Sequence, residues 1–308
     1  MAKSWNNFWF DPVSTSTLGM LRIAFGSIVF LWTMSIVPDA LAFFGEDGVI
    51  APRDLAGLQL GLLDVFPHDW AVFVCVVALL VASVATAAGY HTRMASAVVF
   101  IVLLSLRRRN PWVMNSGDSM LRYMSFFLML APAGAALSLD RWRSASETFW
   151  HAPLHAPWAL RLIQIQVSLA YLFAVWSKAQ GAEWAAGTAV ASSLRLGDLT
   201  RFEIPLSWSE SLLLANVLTY GTIAVELALA VLVWNRRARP WVIAAGVVLH
   251  LGIEVAFGLG FFSAIMLVSY ISFLPEDRAD RLVDRVSRRL RVTVAAPRGG
   301  VGRSEAEI

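Results

Sequence analysis

"WAVFVCVVALLVASVATAA", residues 70–88, is a run of 19 residues without one charged side chain. About 20 apolar residues are enough to cross the hydrocarbon core of a bilayer as an α-helix. Within lipid every backbone N–H and C=O must find an internal partner, and a single segment achieves this only as a helix. The stretch therefore predicts a transmembrane helix.

The composition of the whole chain extends this prediction. The 308 residues are 57% hydrophobic and 15% charged, whereas soluble domains carry about 25% charged residues. Other apolar runs approach the spanning length, and they are continuous rather than alternating, which excludes a transmembrane β-barrel. The prediction is an all-α fold, a polytopic transmembrane helical bundle. The excess of arginine over lysine indicates a GC-rich bacterial source.

The apolar runs and their Pro, Gly and charged boundaries predict about eight spans. Their predicted bounds are 18–37, 70–88, 94–106, 119–136, 158–177, 211–234, 240–256 and 261–274. A further short helix at 183–195 is expected to be either re-entrant or interfacial. An amphipathic stretch along the interface is expected after Pro52, with Leu55, Leu58, Leu62 and Leu63. The chain then divides into an interfacial N-terminal segment, a transmembrane domain and a basic, partly disordered cytoplasmic tail, with the bounds 1–17, 18–275 and 276–308.

Basic residues in the loops predict the orientation, because they concentrate on the cytoplasmic side. With the N-terminus inside, sixteen Lys and Arg residues fall on the inner side and seven on the outer side. We therefore expect both termini inside and a multi-pass protein of the plasma (inner) membrane, without a signal peptide. Eight inner arginines lie between Arg278 and Arg303, as expected beside anionic membrane lipids. The net charge of +3 does not indicate a nucleic-acid partner.

"SLRRRNPWVMNSGDSMLRYM", residues 105–124, concentrates charges between the third and fourth predicted spans. In the predicted topology Arg107, Arg108 and Arg109 lie outside, against the trend of the other loops. Three interpretations stay open from the residues alone. The arginines can cap the third helix and reach lipid headgroups, bind an anion, or pair with carboxylates of the outer loops.

Ionisable side chains inside the spans are candidates for function, because each is costly in lipid unless it is paired or hydrated. The set comprises Arg22, Asp118, Arg122, Lys178, Glu226, His250 and Glu254. Asp118 and Arg122 are four residues apart on one helix face, so they can pair. Asp118 is also placed to cap the start of its helix.

His250 and Glu254 have the same one-turn spacing. It suits a metal site or a proton relay, and it also suits a hydrogen-bonded pair that includes Glu226. We expect no metal site, because the remaining histidines lie in predicted loops and the single cysteine, Cys75, lies inside an apolar run.

Lys178 stands out because the chain has only two lysines, the other being Lys3. Arginine serves equally well as a fixed or snorkelling charge, whereas burial can make a lysine a base or a nucleophile. The residue is expected at the outer end of the fifth span, ahead of Trp184. A snorkelling lysine at a helix end remains the alternative.

Four stretches of the chain resemble the HTTM family, the membrane domain shared with vitamin K-dependent γ-glutamyl carboxylase. They are "STLGMLRIAFGSIVFLW", "RNPWVMNSGDSMLRYMSFFLMLAPAGAALSLD", "YLFAVWSKAQGAEWAAGTAV", and the late pair "VELALAVLVW" and "VLHLGIE". The resemblance covers residues from about 14 to 275. It implies a helical bundle with an outer-facing site, in which the lysine of the third stretch, here Lys178, deprotonates a hydroquinone.

The chain also departs from the carboxylase. Asn115-Ser116-Gly117-Asp118 stands where the carboxylase has a histidine, and Ser177 replaces a second lysine. The large lumenal domain that grips a carboxylation substrate is not in this sequence, so peptide carboxylation is not the expected activity.

The expected function is therefore a membrane protein with an outer-facing cavity for a lipid-soluble ligand, a quinone or hydroquinone. Lys178 is the candidate base, and the pocket is expected to be lined by Arg109, Asn110, Asn115, Asp118, Arg122 and Trp184. The alternative is a non-catalytic accessory, carrier or peptide-maturation protein that handles a small secreted peptide. A transporter is less well supported, because we find no internal repeat.

Overall fold

A computed structural model describes residues 2–49, 61–144, 149–203, 205 and 210–295 of the chain. Most of the amphipathic stretch predicted after Pro52 lies outside these residues, as do the last residues of the predicted tail, 296–308. Within the described part, helices dominate, and they follow one another from the first residues to Ala295.

Fifteen helices are named here in chain order. They are α1 Ala2–Phe10, α2 Ser16–Ile36, α3 Ala40–Phe44, α4 Leu62–Val65, α5 Asp69–Ala88, α6 Thr92–Arg109, α7 Ser116–Leu130, α8 Leu139–Ser144, α9 Trp158–Ala179, α10 Ala182–Ala186, α11 Ala189–Ser193, α12 Leu212–Val231, α13 Arg239–Ala256, α14 Phe262–Ser269 and α15 Glu276–Ala295. Single 3₁₀ turns follow α2, α12 and α14, at Val37–Asp39, Leu232–Trp234 and Tyr270–Phe273.

Five helical segments of the described residues are long and apolar enough to cross a membrane. They are Ser16–Phe44, Asp69–Ala88, Trp158–Ala179, Leu212–Trp234 and Arg239–Ala256. The other three predicted spans also form helices, α6, α7 and α14, but each falls short for a local reason. The last turn of α6 holds three arginines, α7 has 15 residues, and the segment Phe262–Phe273 is shorter still.

The fourth predicted span, 119–136, ends early for a stereochemical reason. The residue before a proline is disfavoured in the α region, and Ala131, which precedes Pro132, is extended with ψ 157°. The helix therefore stops at Leu130, and the chain turns before α8. The third predicted span, 94–106, is longer than expected, because the three arginines belong to the last turn of α6 and not to the loop.

One end of the bundle is closed by a short antiparallel strand pair, an element that the all-α prediction lacks. Strand β1 (Val13–Ser14) pairs with β2 (Leu154–His155). We call this the strand end of the bundle. The start of α2 and the end of α5 lie at the same end. Arg22 of α2 joins these two helices, because its Nη1 donates to Thr86 O at 2.7 Å and to Ala87 O at 2.9 Å.

Asp140 ties α8 to the start of α6 at the same end. Its carboxylate accepts from the backbone N–H of His91 at 2.7 Å and of Thr92 at 2.8 Å, and from the Thr92 hydroxyl at 2.7 Å. Burial by itself raises the pKa of Asp140, but these hydrogen bonds to the charged form outweigh it and hold the pKa below the usual value.

The predicted tail begins as a helix that docks on the strand end. Asp280 Oδ1 of α15 accepts from the hydroxyls of Ser14 at 2.6 Å and Ser16 at 2.5 Å. The N-terminal segment docks nearby, since the guanidinium of Arg161 lies over the ring of Phe8 in α1. Both terminal segments are therefore held at one end of the bundle.

Candidate functional site

Lys178 in α9 is paired with Glu226 in α12. The Nζ of Lys178 lies 2.8 Å from Oε1 of Glu226, and the two side chains are 20% and 9% exposed. The ammonium also lies over the indole of Trp184, 5.1 Å from the ring centroid, where a cation is attracted by the negative face of the ring. Trp184 follows Lys178 closely in the chain, whereas its ionic partner Glu226 is 48 residues away.

Lys178 lies level with the interior of α12, not with its end. After α9 ends, the short helices α10 and α11 continue along the first half of α12, where Tyr220 Oη donates to Ala185 O at 2.9 Å and Val190 N donates to Thr219 Oγ1 at 3.2 Å. Lys178 lies in the last turn of α9, so the expected position at the end of the fifth span is confirmed, and the location of this end on the outer side stays a prediction. The predicted short helix at 183–195 is present as two pieces.

A second polar group lies beside the pair and is buried. Tyr171 of α9 connects His250 of α13 with Tyr270 of the 3₁₀ turn after α14. Its hydroxyl is 2.7 Å from His250 Nε2 and 2.5 Å from Tyr270 Oη. The three residues are 3%, 2% and 6% exposed. Tyr171 and Lys178 lie seven residues apart on α9, which is about two turns, so the two groups lie along one face of that helix.

Two atoms of this site have no hydrogen-bond partner among the described residues: Glu226 Oε2 and His250 Nδ1. Buried polar atoms are nearly always bonded, so each orphan atom needs an explanation such as a water molecule or a ligand. Either tautomer of His250 leaves Nδ1 without a partner. The site therefore offers one carboxylate oxygen and one ring nitrogen to a bound group.

Glu254 does not belong to this site, although the sequence spacing suggested a pair with His250. Near the C-terminal end of α13, Glu254 forms an ion pair with Arg201. Arg201 also donates to Phe257 O at 3.0 Å. The side chain of His250 contacts Tyr171, whereas that of Glu254, one helical turn later, contacts Arg201. The predicted pairing of His250 with Glu254 is therefore wrong.

Two of the three arginines at the end of α6 bind the segment between α2 and α5, and the third binds the link after α6. Arg109 is 8% exposed, and its guanidinium donates to Phe44 O at 2.9 Å and Gly45 O at 3.1 Å. Arg108 pairs with Asp64 at 2.6 Å, while Arg107 donates to Pro111 O. Of the three open interpretations, carboxylate pairing applies to Arg108.

Asn110 and Asn115 hold the link between α6 and α7. Asn110 donates to Phe43 O at 2.9 Å and accepts from Trp112 N at 3.1 Å. Asn115 is the N-cap of α7, and Asp118 completes a capping box by accepting from Asn115 N at 2.7 Å.

Arg122 does not pair with Asp118 among the described residues. Its guanidinium lies over the neighbouring ring of Tyr123, 5.2 Å from the centroid. Within the described chain, no hydrogen bond or ion pair connects the 105–124 stretch with Lys178. The predicted pocket residues Asn115 and Asp118 therefore serve the cap, while Trp184 is the one predicted pocket residue that contacts Lys178 among the described residues.

Arg22 has a structural position as well. It is fully buried, and its Nη2 donates to Leu137 O at 2.5 Å in addition to the two carbonyls of α5. Tyr171 and Tyr270 were missed by the sequence interpretation, which named no tyrosine among the site residues. The signal that could have found Tyr171 is its position seven residues before Lys178, two helical turns along the same face.

No group of three or more His, Cys, Asp or Glu side chains in the described residues is placed to hold a metal ion. A cavity of about 370 Å³ opens at the strand end, between the start of α6 and the link that follows α7, with His91, Arg93, Pro132 and Asp140 in its lining. Lys178 does not line it, so it is not the cavity expected around that residue.

Comparison with known proteins gives one match. The HTTM domain family model matches residues 10–277. No curated protein matches the chain, and no solved structure does. The family match covers most of the chain, and five of its helical segments suit a bilayer. The resemblance drawn from the sequence is thereby confirmed, and the chain belongs to the HTTM domain family as a multi-pass membrane protein.

Proposed function

We propose that the chain binds a lipid-soluble ligand with an acidic hydroxyl, a hydroquinone, beside Lys178 and Glu226. The observation that carries this proposal is the pair of unpartnered buried atoms, Glu226 Oε2 and His250 Nδ1. Polar groups held inside a transmembrane bundle are costly and mark ligand or proton pathways. The two hydroxyls of a hydroquinone can satisfy both atoms, because a hydroxyl donates to a carboxylate oxygen and either donates to or accepts from an imidazole nitrogen, according to the tautomer.

Lys178 would move the ligand proton in this proposal. Transfer of a proton along the 2.8 Å contact from Nζ to Glu226 gives a neutral amine and a neutral acid, and a medium of low dielectric favours neutral forms. The neutral amine then takes the hydroxyl proton of the ligand, and the resulting anion lies beside the ammonium. The chemistry that follows on the ligand belongs to the quinone itself.

The proposed topology has eight spans across the plasma membrane, and both termini lie on its cytoplasmic side. An even number of spans places both termini on one side. The hydrogen bonds from Ser14 and Ser16 to Asp280 support this, because they hold the two ends of the chain together. The excess of basic residues in the loops of that side supports the cytoplasm as its location. Short helices α10 and α11 then form a re-entrant segment.

A non-catalytic role is the second candidate, and the contacts that already hold the Lys178 ammonium favour it. The ammonium is already engaged by Glu226 and by the indole of Trp184. In that case the pair joins α9 to α12, and the HTTM scaffold serves as an accessory, carrier or peptide-maturation protein.

The test compares four proteins reconstituted in nanodiscs: wild type, Lys178→Met, Lys178→Arg and Lys3→Met. Lys3→Met is the matched control, since it removes the only other lysine, which is exposed. The measurements are the quinone that co-purifies, the shift of the melting temperature on adding quinone, and the oxidation of added hydroquinone by oxygen.

We expect quinone to raise the melting temperature of wild type and Lys3→Met, and hydroquinone oxidation to fall at least about tenfold in both Lys178 variants. Unchanged oxidation in both variants removes the role of Lys178 as a base. If quinone neither co-purifies nor shifts the melting temperature of wild type, the ligand assignment fails, and the non-catalytic candidate takes its place.

A further inference from the structure

Helix α15 carries two exposed apolar side chains on one face. Leu282 and Val286 are 37% and 47% exposed, and they are one turn apart, so they form a single stripe. The neighbouring apolar residues Ala279 and Val283 are 0% and 6% exposed, because they pack on the bundle. The apolar face of α15 is thus divided into a covered half and an open half.

The charges of α15 are arranged around this open stripe. At about 3.6 residues per turn, Arg278 and Arg285 lie beside Leu282, on the side of the stripe away from the bundle. Asp284 falls on the opposite side of the helix from Val286. All three charged side chains are exposed. The exposed Arg281 and Arg288 lie on the same far side as Asp284. Around the helix, therefore, the groups that border the open apolar stripe are basic, and the far side carries charges of both signs.

The position of α15 places this stripe near the membrane surface. The helix begins at Glu276, two residues after Leu274 and directly behind the apolar segment Phe262–Phe273. It is fixed there by Asp280, which accepts from Ser14 and Ser16, and by Val283, which packs in one cluster with Ala136. The helix lies across the strand end, where several apolar helices begin or end.

We propose that α15 is a binding surface for anionic phospholipids of the bilayer that holds the chain. Leu282 and Val286 enter the boundary of the acyl chains, and Arg278 and Arg285 bind the phosphate groups. Amphipathic helices with this division bind in the plane of the interface. Each arginine near an anionic surface contributes about fivefold to partitioning. The same surface potential repels Asp284, which fits its position on the far side.

The experiment places a fluorophore on single cysteines in the full chain. Cys75 is the only native cysteine and is buried, so the background is Cys75→Ala. Val286→Cys reports the open stripe, and Asp284→Cys is the matched control on the opposite face. Both proteins are reconstituted in nanodiscs of phosphatidylcholine with and without phosphatidylglycerol, and quenching by the neutral, water-soluble acrylamide is measured.

With phosphatidylglycerol present, we expect acrylamide to quench the probe at position 286 less than the probe at 284, because the first is covered by lipid and the second faces water. This difference should shrink in pure phosphatidylcholine, in Arg278→Gln/Arg285→Gln, and when salt rises from about 0.1 M to about 1 M. In unlabelled protein, the Arg278→Gln/Arg285→Gln variant should retain less phosphatidylglycerol by mass spectrometry than Asp284→Asn.

Two results would overturn the proposal. Equal quenching at 284 and 286 with phosphatidylglycerol present means that the stripe faces water. Protection at 286 that is the same in both lipid mixtures, and that survives loss of Arg278 and Arg285, means that an apolar protein contact covers the stripe without recognition of headgroups.

Discussion

Lys178, in the last turn of α9, and Glu226 of α12 form an ion pair with an N–O distance of 2.8 Å. Loss of one member of a buried pair leaves a charge without compensation, whereas loss of both does not. The relationship therefore makes a specific prediction about stability, which is separate from any activity.

Lys178→Met should lower the stability by up to about 3 kcal/mol, because the Glu226 carboxylate loses its partner. The double variant Lys178→Met/Glu226→Leu should recover most of this loss. Thermal unfolding in detergent measures both, with Lys3→Met as the control. Equal melting temperatures for wild type and Lys178→Met would contradict the pair.

Tyr171→Phe should destabilise the protein by about 1–3 kcal/mol, since His250 Nε2 and Tyr270 Oη both lose their partner. Tyr270→Phe should cost less, because the bond between Tyr171 and His250 remains. Tyr220→Phe is the control: its hydroxyl also donates a bond, but the residue is 47% exposed. A lower melting temperature for Tyr220→Phe than for Tyr171→Phe would contradict this prediction.

Arg22→Met should cost about 3 kcal/mol or more, because the carbonyls of Thr86, Ala87 and Leu137 lose a charged donor at a buried site. Arg22→Lys should rescue only part of this, since one ammonium cannot reproduce the fork of a guanidinium. Arg93→Met, at an exposed position, is the control. Full rescue by lysine in the thermal melt would show that the fork geometry is not needed.

Asp140→Asn should lower the melting temperature by a few degrees near neutral pH, since a neutral amide accepts the Thr92 and His91 bonds less well. Because the pKa of Asp140 is depressed in the folded chain, its stabilisation is present above about pH 4, the unfolded value. It is lost as the pH falls through the lower folded value. The gap between wild type and Asp140→Asn should thus stay constant from neutral pH down to about pH 5 and narrow below about pH 4. If the difference in melting temperature instead grows as the pH falls, the pKa of Asp140 is raised and not lowered by folding.

Gly26→Ala should destabilise the contact between α2 and α5. A Cβ at Gly26 would lie 2.4 Å from Ala87 N and 2.7 Å from Ser83 O, and backbone atoms cannot move aside, so the cost is about 1–3 kcal/mol. Gly252→Ala in α13 meets nothing within 4 Å and should be neutral or gain up to about 1 kcal/mol from helix propensity. Similar melting temperatures for the two variants would contradict the close approach.

The positions of the apolar helices could be predicted from the sequence, because apolar runs and their breakers are local signals. The second predicted span, 70–88, matches α5 to within a residue, and the seventh, 240–256, matches α13 equally well. The family could be predicted too, since its motifs are also local. The short strand pair could not, because two residues carry no periodicity.

The site was predicted less well for a geometric reason. A sequence shows that Lys178 and Glu226 are ionisable and unusual in lipid, but not how α9 and α12 are rotated and shifted against each other. That shift, with α10 and α11 beside the first half of α12, decides that Lys178 meets Glu226. His250 likewise faces Tyr171 and not Glu254, because α13 turns the two residues to different neighbours.

The contacts of α2 set a condition on the biogenesis of this protein. The first long helix to leave the ribosome packs against α14, against the 3₁₀ turn that follows it and against α15, and the hydroxyl of Thr17 donates to Leu274 O at 3.2 Å. These partners are translated last. The early helices must therefore enter the bilayer before their final neighbours exist, and the bundle closes only after translation is nearly complete.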